Sequence, residues 1–174
     1  MRGYRKRPGT QGFSVPLVGA SLFFIISLFL FASYKNSAYQ QAKKEIYSLY
    51  TANRAFDLDE VYQDGLTAIY AKEYGKTATE AGCEALEQTG LPYVLLLSQF
   101  SAPVERVYMT NCQLSETGRE KKARTYDYTV SVRFCLEKGD EVLAPKKTMD
   151  FHGTVVMKKK GWFRWLLDGV TLGE

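Results

Sequence analysis

The side chains able to do acid–base or metal chemistry are few and scattered. The single histidine is His152, two residues from Asp150 in a stretch of alternating polarity, and Asp127 stands in a second such stretch. An acid and an imidazole on one strand face can pass a proton, as in the isomerase-like chemistry of cone-shaped domains. That chemistry needs them to face an apolar interior with a third partner or a nucleophile beside them. Alternation puts Asp127, Asp150 and His152 on the polar side, so a solvated strand face is expected. Cys83, Cys112 and Cys135 form an odd set without CxxC spacing. They allow at most one internal disulfide, and buried free thiols are the simpler expectation. One histidine and dispersed cysteines make no zinc ligand set. No glycine-rich phosphate loop and no nucleophile elbow is present. The expectation is a non-enzymatic chain with no cofactor and no small-molecule substrate.

Charge narrows the class of partner. The formal net charge is +4, and Arg2, Arg5, Lys6 and Arg7 all precede residue 13 with no acid among them. Without those four the chain carries as many basic as acidic residues. The basic balance thus belongs to the tail and gives no reason to expect nucleic-acid binding. From Phe13 to Tyr34 there is no charged residue over 22 positions, enough to cross a hydrocarbon core of about 30 Å. Ser14, Ser21, Ser27 and Ser33 interrupt it only with hydroxyls, which can bond back to helix carbonyls. The cationic cluster lies on the N-terminal flank, so the positive-inside rule places residues 1–12 in the cytoplasm and residues 35–174 outside. A cleaved secretory signal is the competing reading, but its apolar core is usually about 7–15 residues and the small-x-small sites here are poor. A single-pass cell-membrane protein with an extracytoplasmic C-terminal domain is expected.

The elements that must position these residues follow from periodicity. Between Ala20 and Asp64 there is neither glycine nor proline, so the spacing predicts a helix running unbroken from the membrane into the outer domain. Beyond the bilayer its apolar stripe is Tyr39, Ala42, Ile46, Leu49, Asn53 and Phe56, opposite Gln40, Lys43, Lys44, Ser48 and Thr51. Asp57 with Glu60 would cap a second helix ending near Gly75, unless the first helix continues through this point. Thr77-Ala78-Thr79-Glu80 is a capping-box pattern for a short helix stopping at Gly90. The apolar run Pro92 to Phe100 suits a helix start or a buried strand.

From Pro103 the period becomes two. Tyr126, Tyr128, Val130, Val132, Phe134 and Leu136 alternate with Thr125, Asp127, Thr129, Ser131, Arg133 and Cys135. Met149, Phe151, Val155 and Met157 alternate with Asp150, His152 and Thr154 in the same way. Val104 to Leu114 and Trp162 to Leu172 are two further strands. Turns at Glu116-Thr117-Gly118, Lys138-Gly139-Asp140 and Lys160-Gly161 favour an antiparallel meander. The predicted fold class is therefore α+β. It comprises a cytoplasmic leader (1–12), a transmembrane helix (13–34) continuing into a helical region (35–102) with short extra helices, and a four-stranded antiparallel sheet (103–174). In a meander the first and third turns share an end, which would bring Lys121, Lys122 and Arg124 within two strand spacings, roughly 10 Å, of Lys158, Lys159 and Lys160. Such a cluster would serve as a docking patch for an acidic partner or phospholipid head groups. The plainer alternative is lysine solvating hairpin tips and guarding edges.

The segment Gly12-Phe13-Ser14-Val15-Pro16-Leu17 resembles the leader junction of type IV pilins and pseudopilins. The resemblance implies cleavage after Gly12 by a prepilin peptidase and methylation of Phe13 as the new N-terminus. Leu17 stands where that family usually has Glu, a residue that aligns incoming subunits, which points to a minor, tip-type member. Pro16 agrees with a helix that starts nearby, since the first four helical N–H groups have no partner anyway. That start also suits an uncleaved anchor. The outer layout, helices first and a four-stranded meander last, with the ending Lys159-Lys160-Gly161-Trp162-Phe163-Arg164-Trp165, also looks like nuclear-transport-factor-like domains of bacterial conjugation and type IV secretion scaffolds. The implied function is a non-enzymatic subunit of a cell-envelope machine. A minor pilin-like protein of a type IV pilus or related secretion system is the first form, and a bitopic scaffold or binding protein the second. Implied partners are the membrane, other machine subunits and, for the first form, the peptidase.

Overall fold

The computed structural model describes residues 15–51, 58–95, 104–136, 146–162 and 164–173. The chain divides into two compact units, Met1–Tyr34 and Lys35–Glu174. The first holds most of helix α1 (Val15–Lys35), 21 residues or about 31 Å of helix. Its described large apolar side chains, Leu22 through Phe31, are exposed. Among the described residues no single helix is long and apolar enough to cross a membrane.

The second unit is α+β. Helices α2 (Ala38–Leu49), α3 (Leu58–Tyr74) and α4 (Glu80–Thr89) and a 3-10 turn at Tyr93–Leu95 precede strands β1 (Val104–Arg119), β2 (Ala123–Leu136), β3 (Lys146–Lys160) and β4 (Arg164–Leu172). The strands pair antiparallel in the order β1-β2-β3-β4, the meander that the short turns imply. The alternation in β2 is realised as expected: Tyr126, Tyr128, Val130, Val132 and Phe134 are buried, while Asp127 and Thr129 are exposed.

The helix expected to run unbroken from residue 13 past residue 49 is two helices. Asn36 and Ser37 separate α1 from α2. Ser37 is extended (φ −66°, ψ 153°), and its hydroxyl accepts the N–H of Gln40 at 3.3 Å. That is a side-chain cap, and it restarts a helix without help from glycine or proline. The stripe continues as far as Leu49. Ala42, Ile46 and Leu49 are fully buried, whereas Tyr39 is 39% exposed. Asn53, Phe56 and Asp57 lie outside the described residues, as do the turn at Lys138-Gly139-Asp140 and the end of the run from Pro92. Helix α3 kinks at Gly65. Helix α4 is capped by Thr79, whose hydroxyl accepts the N–H of Gly82 at 3.1 Å, and it closes on a left-handed Gly90.

The core lies between the helices and one face of the sheet. Ile46 and Leu49 from α2 and Tyr50, its C-cap, share a cluster with Leu86 of α4 and with Val130, Val132, Val155, Met157 and Leu167. Fully burying such a side chain contributes about 1.5–3 kcal/mol. Helix α4 is also tied to the sheet through backbone. Thr79 N–H donates to Leu167 O at 2.8 Å and Leu167 N–H to Thr77 O at 2.9 Å, so Ala78 adds a parallel bridge to the edge of β4.

Strand β1 is longer than its partner. Glu105, Thr110 and Thr117 each sit where two β1 residues face one β2 residue, the signature of a β-bulge. The third bulge corrects the turn expected at Glu116-Thr117-Gly118. The strand absorbs those residues and turns only at Glu120–Lys122. Thr110 Oγ1 donates to Ser131 O at 3.0 Å, replacing part of the ladder that the bulge interrupts.

Candidate interaction site

The end of the sheet that carries the β1–β2 and β3–β4 turns gathers the basic residues. Ala123 pairs with Lys158 and Arg124 with Met157, and Lys159 N–H donates to Lys122 O at 2.8 Å. The two groups therefore lie on neighbouring strands, one spacing of about 4.8 Å apart, rather than the two spacings expected. The reason is topological: in a meander the start of β2 lies directly against the end of β3.

The six residues divide by what each touches. Arg124 is half-buried. Its guanidinium lies 5.5 Å from the centre of the Trp165 ring, 3.7 Å from Glu116, and donates to the carbonyls of Ala123 and Glu120. Lys158 pairs with Asp168 at 3.4 Å, and Asp168 also accepts the Thr79 hydroxyl at 2.6 Å. Arg124 and Lys158 thus tie the sheet end together. Lys159 is exposed, with its ammonium 5.9 Å from the centre of the same Trp165 ring. Lys121, Lys122 and Lys160 are exposed, and among the described residues no acid pairs with any of them.

The neighbouring acids are largely committed. Glu116 pairs with Arg119 at 2.6 Å, and this guanidinium holds its carboxyl below the usual carboxylate range. Glu120 at the β1–β2 turn and Glu80 at the start of α4 remain, so the exposed surface keeps a cationic surplus. Beside it Lys158, Lys159 and Lys160 line an open cleft of about 430 Å³ with Thr79 and Glu80. Trp162, in the β3–β4 turn, is 86% exposed.

Trp165 was not singled out from the sequence, although it organises this end. The pairing of Lys159 with Trp165 needs the β3–β4 register, which periodicity alone does not supply. The processing pair Gly12 and Phe13 lies outside the described residues.

Away from this end, Asp127, Asp150 and His152 are exposed on the outward face, the side that alternation assigns them. Asp127 accepts the Thr154 hydroxyl at 3.2 Å. Cys83, Cys112 and Cys135 are free thiols, half-buried rather than buried as expected, and desolvation raises the pKa of Cys83 and Cys112. Among the described residues no group of three His, Cys, Asp or Glu side chains could hold a metal ion.

The polar groups inside the core form a relay between helix and sheet. Tyr128 hydroxyl donates to Thr171 O at 2.8 Å and lies 2.9 Å from the Tyr50 hydroxyl. A phenol has one proton, so the Tyr50 hydroxyl must donate to Tyr128. Gly153, paired with Tyr128 across the ladder, makes this possible: a Cβ there would stand 2.7 Å from the Tyr128 hydroxyl and 2.0 Å from Thr171 O. Burial raises the Tyr50 pKa strongly, which keeps this donor protonated.

Comparison with protein-family models, with curated proteins and with solved structures finds no match to this chain.

Proposed function

We propose that the chain is a membrane-anchored, non-enzymatic subunit of a bacterial cell-envelope machine, in the form of a permanently anchored scaffold whose outer domain resembles the nuclear-transport-factor-like plan. The observation that carries this form over the pilin-like one is the restart of the helix at Ser37. A pilin-like spine runs from lipid onto the sheet as one rod, whereas here α2 is separately capped and followed by α3 and α4 before the meander. The anchoring itself rests on the uncharged stretch from Phe13 to Tyr34 and on the basic tail before it. The pilin-like alternative rests on the Gly12–Leu17 segment.

Intact-mass measurement of the protein from cells with an active prepilin peptidase separates the two. The scaffold form retains residues 1–12, and a Gly12→Ala substitution leaves its mass otherwise unchanged. Loss of those residues, blocked by Gly12→Ala, would reinstate the pilin-like form.

A further inference from the structure

We propose that the basic end of the sheet is a foot that rests on an anionic phospholipid surface, with Lys121, Lys122, Lys159 and Lys160 facing head groups and Trp162 seated at the interface. The inference deepens the membrane-anchored reading and depends on it.

Two placements within the outer unit support it. First, the chain enters this unit at the foot. Lys35 follows directly on the apolar stretch, and Tyr39, in the first turn of α2, sets its ring edge-on to Tyr126 at 6.0 Å. From there α2 runs away from the turns, because its far end, Tyr50, meets Tyr128 and Phe151. Lys122 lies four residues beyond Tyr126 in the opposite direction, about 13 Å of strand. The tips therefore lie at the end of the sheet where α2 begins. Tyr39 stands only five residues after Tyr34, the last residue of the uncharged stretch.

Second, the chemistry of the tips suits an anionic interface. The lysines there are exposed while Glu116 and Asp168 are held by Arg119, Arg124 and Lys158. An indole 86% exposed among lysines is unfavourable in water and well placed at head-group level. Near an anionic surface each lysine changes the ratio of docked to undocked forms by about fivefold.

The test uses the full chain reconstituted in phosphatidylcholine vesicles, with and without phosphatidylglycerol. Trp162 and Trp165 are the only tryptophans, so emission reports on this end alone. Brominated acyl chains should quench emission more when phosphatidylglycerol is present. The extra quenching should vanish in Trp162→Phe, in high salt, and in the variant carrying Lys121→Gln, Lys122→Gln, Lys159→Gln and Lys160→Gln. Each single lysine substitution should lower the docked ratio about fivefold. Quenching that is equal in both lipids, or that survives the fourfold substitution, overturns the foot. So would crosslinking of these lysines to an acidic protein with no lipid-dependent quenching, which assigns the patch to a protein partner. An alkaline carbonate wash keeps the two readings apart. Release of the chain removes the anchor itself, whereas retention without lipid-dependent quenching removes only the foot.

Discussion

The Tyr50–Tyr128–Thr171 relay is a directional device, and direction makes its two phenols unequal. Replacing Tyr50 with Phe removes one donor and leaves Tyr128 bonded to Thr171 O, so the cost should be about 1 kcal/mol. Tyr128→Phe strands both the Tyr50 hydroxyl and the Thr171 carbonyl and should cost about 2–3 kcal/mol. Urea unfolding of the two variants checks the order, and equal costs would refute the assigned direction. Glu45 is the other residue whose setting has a measurable consequence. It is 6% exposed on the inner side of α2, and burial raises its carboxyl pKa, against the opposing influences of Thr77 and Lys44. A carboxyl with a raised folded-state pKa binds its proton more tightly folded than unfolded. Its contribution is therefore fully present below the ordinary value of 4.5 and lost as pH rises through the folded value. Glu45→Gln should raise the melting temperature by a few degrees at pH 7 and by much less at pH 4. A gain independent of pH would show that the charge is not the cause.

Among the elements, α4 shows most clearly how packing decides what propensity leaves open. Gly82 is the third residue of α4, inside a helix where alanine has the better propensity, by up to about 1 kcal/mol in an interior position. A Cβ there would stand 2.2 Å from Leu167 O, the backbone atom that accepts the Thr79 N–H. Gly82→Ala should therefore destabilise by about 2–3 kcal/mol, measured by chemical denaturation. A stabilised variant would mean that α4 does not dock on β4 as described. The strands were the most legible part of the sequence, because Tyr126 to Phe134 alternate without interruption and the β1–β2 and β3–β4 turns are short. The helix stripe was legible to Leu49. The break at Ser37 was not, since a serine cap with neither glycine nor proline beside it leaves the apolar spacing that follows unchanged. The cap at Thr79, rather than Thr77, was likewise set by the bond between Thr79 and Leu167, a partner 88 residues away. The bulges of β1 escaped because each adds one residue without ending the strand.

At the scale of the whole molecule, the buried cluster among the described residues draws on Ala38 onward, and none of its described members precedes that position. The unit Lys35–Glu174 therefore carries its own core. The candidate site was half legible. Which lysines gather at one end followed from the meander, but which of them are engaged depended on Trp165, Glu116 and Asp168, whose contacts cross strands. Strand β1 forms a border of the sheet, and a flat strand of 16 residues there would invite stacking of one copy on another. The displacements at Glu105, Thr110 and Thr117 leave no regular run longer than Asn111–Glu116 along that border. A second molecule's strand finds no straight rail to zip along, so crowding does not readily convert this domain into a fibril.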